Sequence, residues 1–476
     1  MSGFGITLIV VSLVVNVVIT VFGTYYSRQK MQNKATYYTG GRNISIGFLT
    51  ATFVAYAVGT GLIFSPGEMA YLSGVTAMIG YALAITLAYI VFTPFTKKIR
   101  SLIPEGHTIG EYVRVRYGLL MYYVVLAVSL VYLFILFASN LIGAAILFRY
   151  IGDIPMAISV LVVGVPLIIY ATYGGLNAAI FTDGLQSILI PPLLLIPAIM
   201  IMQKLGGAGA VYDKVMQINP DYMMINFKPG IEFAVLIIIA VSAAELLNQA
   251  LWQRVYAAKS DAVIKKSLIS SALMTFPMTI VAAFLGLIAF TAGLNLPHSS
   301  IATPLAVFEL LPPWVTILFS VIVVLGAGST AGNAISGFSS SFALDIVKPL
   351  SPHLNSAGVL RVARIGSILF GIGAMIVAYF APSILFLLLS ADLLASAAVV
   401  PVFVGLYSKK VSGMAATIAT LAGIASGLPL FIAGSTMMSF VTALLVSTAI
   451  TFFASKVSKY EYDFADLADK IKELSD

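Results

Sequence analysis

IGFLTATFVAYAVGTGLIFSPGEMAYL, residues 46–72, is long and apolar enough to cross a bilayer, yet its middle carries Gly59, Gly61, Pro66 and Gly67. A spanning helix needs roughly 20 mostly apolar residues. Glycine and proline interrupt its backbone bonding, and a membrane tolerates that where the freed groups line a cavity or hold an ion. Small residues also let helices pack closely. Composition leaves both readings open for this cluster.

The rest of the chain is of the same kind. It has 476 residues, 60% of them hydrophobic and only 9% charged. Soluble domains carry about 25% charge, and their cores stop growing near about 250–300 residues. The apolar residues must therefore face lipid. An all-α integral membrane fold of about thirteen spans is expected: 5–25, 46–72, 75–96, 118–147, 155–172, 178–202, 232–254, 265–293, 313–343, 361–380, 384–407, 412–433 and 436–455. The first apolar run, 6–22, has neither a basic leader nor an Ala-x-Ala site, so it reads as a retained helix. The tail, 456–476, is polar, mixed in charge and too short for a domain, so no soluble enzyme module is expected.

The formal net charge of +7 does not point to nucleic acid, because the basic residues sit in short clusters between apolar runs. With the N-terminus outside and the C-terminus cytoplasmic, all but Arg149, Lys204, Lys214 and Lys228 of the 26 basic residues fall inside. This is the positive-inside bias, and an even number of spans would destroy it. The expected location is the plasma membrane. There is no cysteine, which excludes disulfides and thiolate metal sites.

A second unusual segment is GAGSTAGNAISGFSSS, 326–341, within the ninth span. Its small residues suit close packing, while its hydroxyls are hard oxygen ligands of the kind a bare alkali cation needs. Packing and ion binding both remain open there. Among the acids within spans, Asp183, Glu245 and Asp392 stand out. By helical rise Glu245 lies about 20 Å from the outer end of its span and Asp392 about 12 Å. Carboxylates at such depth face a cavity, find partners or serve a function. No lysine or arginine falls inside a span at that depth. Glu68 reads as closer to the outer surface and solvated. His107, His298 and His353 all fall in loops, and no nucleophile motif or metal-ligand spacing suggests an enzyme.

Three strings resemble the sodium:solute symporter family, whose members carry glucose, proline, pantothenate, urea and other small solutes. They are TYGGLNAAIFTDGLQ (172–186), NQALWQRVYAAKS (248–260), and Ser329-Thr330 followed by DIVKP (345–349). The loop HTIGEYVRVRYG (107–118) is similar to the urea and polyamine branch, but no subgroup is assigned. The resemblance implies the leucine-transporter fold. Spans 2–6 (46–202) and 7–11 (232–407) would be inverted five-helix repeats, with 5–25 in front and 412–455 behind. The first helix of each repeat would be broken near the membrane midplane.

Carried onto this sequence, the family's sodium site implies the hydroxyls of Ser329 and Thr330 and the carbonyls of Val54, Ala57 and Gly326. Asp183 would lie on the sodium exit path. Tyr56, Gly59 and Asn248 would touch solute, and Glu245 and Asp392 are further candidates from their depth. Position 56 is tyrosine where proline carriers have aspartate, which argues against that subgroup. Sodium is the expected coupling ion. The expected partners are a small polar solute, with an amine or amino acid favoured, and the lipid bilayer; no obligate protein partner is implied. Proton coupling, a urea, sugar or carboxylate solute, and a membrane sensor without net transport are the alternatives.

Overall fold

The computed structural model describes residues 3–30, 40–381 and 383–470; Lys34, within the first basic cluster, and the tail residues 471–476 lie outside it. Among the described residues the regular structure is helical, apart from one bridge between Ile44 and Ala258. The helices are, in order, α1 Gly3–Lys30, α2 Ile46–Ala57, α3 Thr60–Leu102, α4 Ile109–Tyr117, α5 Leu119–Ile151, α6 Met156–Lys204, α7 Ala208–Ile218, α8 Lys228–Leu247 and α9 Gln249–Ala257. There follow α10 Asp261–Thr291, α11 Ala302–Leu310, α12 Pro313–Ser341, α13 Ser356–Phe380, α14 Ile384–Val404, α15 Gly413–Ile432, α16 Thr436–Val457 and α17 Ala465–Lys470.

Loop chemistry sets many of these starts. Thr108 and Glu111 form a reciprocal capping box at α4. Ser260, Asn355, Ser383 and Ser412 each accept a backbone N–H at the starts of α10, α13, α14 and α15.

Eleven helices among the described residues are long and apolar enough to cross a membrane. α1, Gly3–Lys30, covers the first expected span, and the sequence reading of thirteen differs in the second. The span expected at 46–72 is divided: its first half is the twelve-residue α2, and its second half runs into the next span within α3. Those two parts of α3 meet at Ser73 and Gly74, where Gly74 has φ 67°, a left-handed conformation suited to glycine. Spans five and six share α6, yet the Tyr170 hydroxyl hydrogen-bonds the Thr182 hydroxyl. Twelve residues of straight helix would separate them by about 18 Å, so α6 is not straight between Tyr170 and Thr182.

The breaks are local. α2 ends at Ala57 and α3 begins at Thr60, with Val58 and Gly59 between them out of helical geometry. α8 ends at Leu247 and α9 begins at Gln249, with Asn248 extended at φ −81°, ψ 106°. Pro66 and Gly67 do not break the chain; they lie inside α3, where Gly67 abuts Thr303 and the backbone of α10 at Ala282 and Gly286. The glycine cluster therefore serves both purposes, with Gly59 at the break and Gly67 at a helix contact.

Three expectations about charged residues are corrected. Glu68 is buried, and the hydroxyls of Ser299 and Ser300 donate to its two oxygens at 2.7 and 3.2 Å. Arg116, counted among the inside-loop basic residues, instead lies on α4, is buried and donates to the carbonyls of Gly405, Ser408 and Val411 beyond the end of α14. A guanidinium suits such orphan carbonyls at a helix C-terminus. Arg254, assigned to the same class of loops, is fully buried on α9.

Candidate functional site

Breaking α2 from α3 leaves backbone groups that need partners. The Asn140 side chain on α5 accepts the Thr60 N–H at 2.9 Å and holds its own amide on Leu136 O at 2.8 Å. The Thr60 hydroxyl donates to Ser139 O at 3.1 Å. On the opposite side, Thr330 Oγ1 of α12 donates to Tyr56 O at 2.8 Å. Gly326 lies directly against Val58 O, where a Cβ would collide. The ninth span thus reaches the break in the second span through Gly326 and Thr330, two of the residues singled out in the sequence. Val54 and Ala57 form the end of α2, and Val54 O accepts the Val58 N–H at 3.1 Å.

Gly59 is wedged between Thr330 and Asn140. A Cβ there would lie under 3.0 Å from Thr330 Oγ1 and Asn140 Oδ1. Gly59→Ala is expected to abolish measurable uptake in cells while the protein still reaches the membrane. Gly47→Ala, at a position with open space around it, is the neutral control. Equal uptake by the two variants counts against a working role for the break.

The second break is organised by Asn248. Its Oδ1 caps α9 by accepting the Ala250 N–H at 2.9 Å. Its Nδ2 donates to Glu245 Oε2 at 2.7 Å and to the Tyr56 hydroxyl. Tyr56 donates to Glu245 at 3.1 Å, and Tyr132 reaches the same carboxylate at 3.5 Å. One residue from each broken helix, Tyr56 and Asn248, is therefore tied to a single acid.

A cavity opens between the two breaks. Its polar lining includes Tyr56, Tyr81, Tyr89, Tyr132, Glu245 and Asp392. Gly59, Asn140 and Thr330 form part of its wall, and among the described residues no lysine, arginine or histidine lines it. Asp392 is 4% exposed, and its carboxylate makes no hydrogen bond among the described residues. The acid on α14 and the acid on α8, far apart in sequence, thus share one chamber.

Asp183 lies elsewhere, under Ser329 rather than on the cavity wall. Ser329 Oγ donates to its Oδ1 at 2.6 Å. Asn333 Nδ2 donates to Oδ2 at 3.2 Å, and the Thr52 hydroxyl also donates there. Arg254 Nη2 completes an ion pair at 3.2 Å, with both side chains essentially unexposed. Arg254 also donates from Nε to Thr52 Oγ1 at 2.8 Å and from Nη1 to Ala250 O at 2.6 Å. Asp183 therefore has a fixed cationic partner in Arg254. Its adjacent hydroxyls divide their roles: Ser329 faces the acid and Thr330 faces the broken helix.

Thr52, Tyr132, Asn140, Arg254 and Asn333 were not singled out from sequence. Asn140 had a signal, a lone amide in the apolar run of the fourth span. Arg254 had one too, a basic residue within the string 248–260.

The arrangement has relatives. A model of the sodium:solute symporter family matches residues 37–423. The urea-proton symporter DUR3 of Oryza sativa subsp. japonica is 20% identical over 433 residues, covering 83% of this chain and 60% of that protein. The spermidine transporter DUR31 of Candida albicans is 22% identical, covering 75% of this chain and 67% of its own length. The chain spans about 60% of the length of the rice relative. A solved structure of a Na+-coupled sialic acid symporter, substrate-bound and outward-open, superposes with a TM-score of 0.77 at 19% identity, covering 97% of this chain and 99% of that one. The likeness is one of fold, that of the leucine transporter. The match over most of its length and the shared fold show that this chain belongs to the sodium:solute symporter family.

Proposed function

We propose that this protein is a sodium-coupled symporter that carries a small solute bearing a positively charged nitrogen into the cell. The observation that carries the solute class is the lining of the cavity: two carboxylates and four tyrosines, with no basic side chain. Glu245 already accepts hydrogen bonds from Tyr56, Tyr132 and Asn248. Asp392 has no such donors among the described residues, and a carboxylate in that position is expensive without a counter-charge. An ammonium or guanidinium supplies both the charge and the donors, and tyrosine faces attract cations. The relative named as a spermidine transporter fits this chemistry.

Sodium coupling is supported by the approach of α12 to the break in the second span. Thr330 Oγ1 and the carbonyls at the end of α2 are hard oxygens gathered around one junction. On this reading sodium binds among Val54, Ala57, Gly326, Ser329 and Thr330 and fixes the broken segment. Solute follows, and the repeats 46–202 and 232–407 rock to close the outer side and open the inner, with the N-terminus outside. The membrane potential supplies about 2.3 kcal/mol per charge per 100 mV.

The test is uptake of labelled amines, guanidines, amino acids, urea and sugars, with sodium replaced by choline at fixed pH. Uptake of cationic solutes that collapses without sodium supports the proposal. Uptake of neutral or anionic solutes alone sinks the solute assignment. Thr330→Ala is expected to raise the sodium half-saturation at least about tenfold, the loss of one charge-assisted contact of roughly 1.5 kcal/mol. Ser329→Ala is expected to do less, because Ser329 is committed to Asp183. Normal sodium half-saturation in both variants refutes the site.

A second reading is proton coupling through Asp392, favoured by its lack of hydrogen-bond donors and by the rice relative's description as a urea-proton symporter. Uptake that ignores sodium but follows an imposed pH gradient selects it.

A further inference from the structure

A groove on the outer face of the helix bundle, sharing no lining residue with the solute cavity, has no part in the transport scheme. It lies between the first half of α6 and α13. Its floor forms where Gly371 abuts Ile168 and Gly164 abuts Met375; the missing side chains let the helices approach closely. Its walls are Val165, Ile169 and Tyr173 on α6 and Ile372, Ile376 and Phe380 on α13. These wall residues remain largely exposed.

The stripe on α13 continues beyond the groove in one direction. Helical neighbours recur at three and four residues, so the row through 376, 372 and 368 runs on to Arg364 and Arg361. The Arg364 guanidinium stands over the Tyr173 ring at 5.2 Å. Its Nε is buried without a hydrogen-bond partner. Stacking occupies the face of the guanidinium and leaves its N–H edges free. Neither helix supplies an acid over 156–173 or 356–380. An apolar channel therefore ends at a basic group that has no anionic partner among the described residues.

We propose that this groove holds one anionic phospholipid, its phosphate on the Arg364 and Arg361 guanidinium groups and one acyl chain along the groove between α6 and α13. The lengths agree. Arg364 and Ile376 are about 18 Å apart along the helix, and one leaflet is half of a hydrocarbon core of about 30 Å. Basic pockets between spanning helices recognise phospholipid headgroups in this way. In the orientation proposed above, the basic end faces the anionic cytoplasmic leaflet.

Native mass spectrometry of the purified full chain tests this, with added phosphatidylglycerol or phosphatidylcholine of identical acyl chains. The unsubstituted protein is expected to retain phosphatidylglycerol about fivefold better. Arg364→Gln is expected to remove the preference without lowering the melting temperature in lipid-free detergent, and Arg364→Lys to keep part of it. Val165→Trp and Ile372→Trp, which fill the groove, are expected to reduce retention of both lipids. Equal retention of the two lipids by the unsubstituted chain overturns the proposal, as does an unchanged preference in Arg364→Gln. A dimer that the tryptophan variants dissociate also overturns it, by assigning the groove to a second copy.

Discussion

Arg254→Gln is expected to be among the most destabilising single substitutions in this chain. The guanidinium is fully buried, pairs with Asp183 at 3.2 Å, and reaches Thr52 and the Ala250 carbonyl with its remaining donors. Removing one member of a buried pair costs about 3–5 kcal/mol, because the other charge is left in a poor solvent. Glutamine can replace one donor but not the charge. The abandoned Asp183 still has Ser329, Asn333 and Thr52, which softens the loss without removing it. Asp183→Asn is expected to be nearly as damaging, for the mirror reason. The double variant Asp183→Asn/Arg254→Gln is expected to fall well short of the sum of the two, since neither charge is then orphaned. The measurement is the fraction of monodisperse protein surviving a heat step in detergent. Strict additivity would show that the two side chains do not act as a pair. This cluster joins α2, α6, α9 and α12, so turnover is expected to suffer more than solute affinity in any variant that survives. A large loss of equilibrium solute affinity with unchanged turnover contradicts that.

The sequence made the two breaks unequally legible. In the second span Gly59 and its neighbours announce an interruption, although Pro66, the strongest breaker by residue type, lies within continuous helix. In the seventh span there is no glycine or proline near the break at Asn248. The break there appears from residue chemistry only as an asparagine in a position to cap α9, and it was expected from the family resemblance. The acids at 183, 245 and 392 stood out because charge is rare in this chain. Their partners did not, because tyrosine, threonine and asparagine are unremarkable in a polytopic protein, and contacts such as Tyr56 with Glu245 join different elements. Arg254 was misread for a physical reason. A basic residue at the end of an apolar run normally marks the membrane surface, but here the half-helix α9 carries it back into the protein. Glu68 was misread likewise, because Ser299 and Ser300, which bury it, lie more than 200 residues away.

Asp392→Asn is expected to weaken the half-saturation for a cationic solute by about 30-fold or more, with little change in the amount of folded protein. The side chains are nearly equal in volume, so packing on α14 is preserved. What is lost is a buried charge–charge contact with solute, for which about 2–5 kcal/mol is typical and each 1.4 kcal/mol is tenfold. Glu245→Gln is expected to affect solute less and the junction more. Glu245 is shared among Tyr56, Tyr132 and Asn248, so its replacement loosens the tie between the broken helices before it removes a solute contact. The two variants together separate the competing chemistries. If Asp392 binds a cationic nitrogen, Asp392→Asn shifts the half-saturation for amines and leaves that for any neutral solute unchanged. If it carries the coupling proton, the same variant loses accumulation against a gradient while still exchanging solute across the membrane. If it is structural, neither parameter moves and only thermal survival falls. A normal half-saturation for a cationic solute in Asp392→Asn would remove the main support for a positively charged solute, because Glu245 is then the remaining acid in the cavity and its oxygens are already occupied.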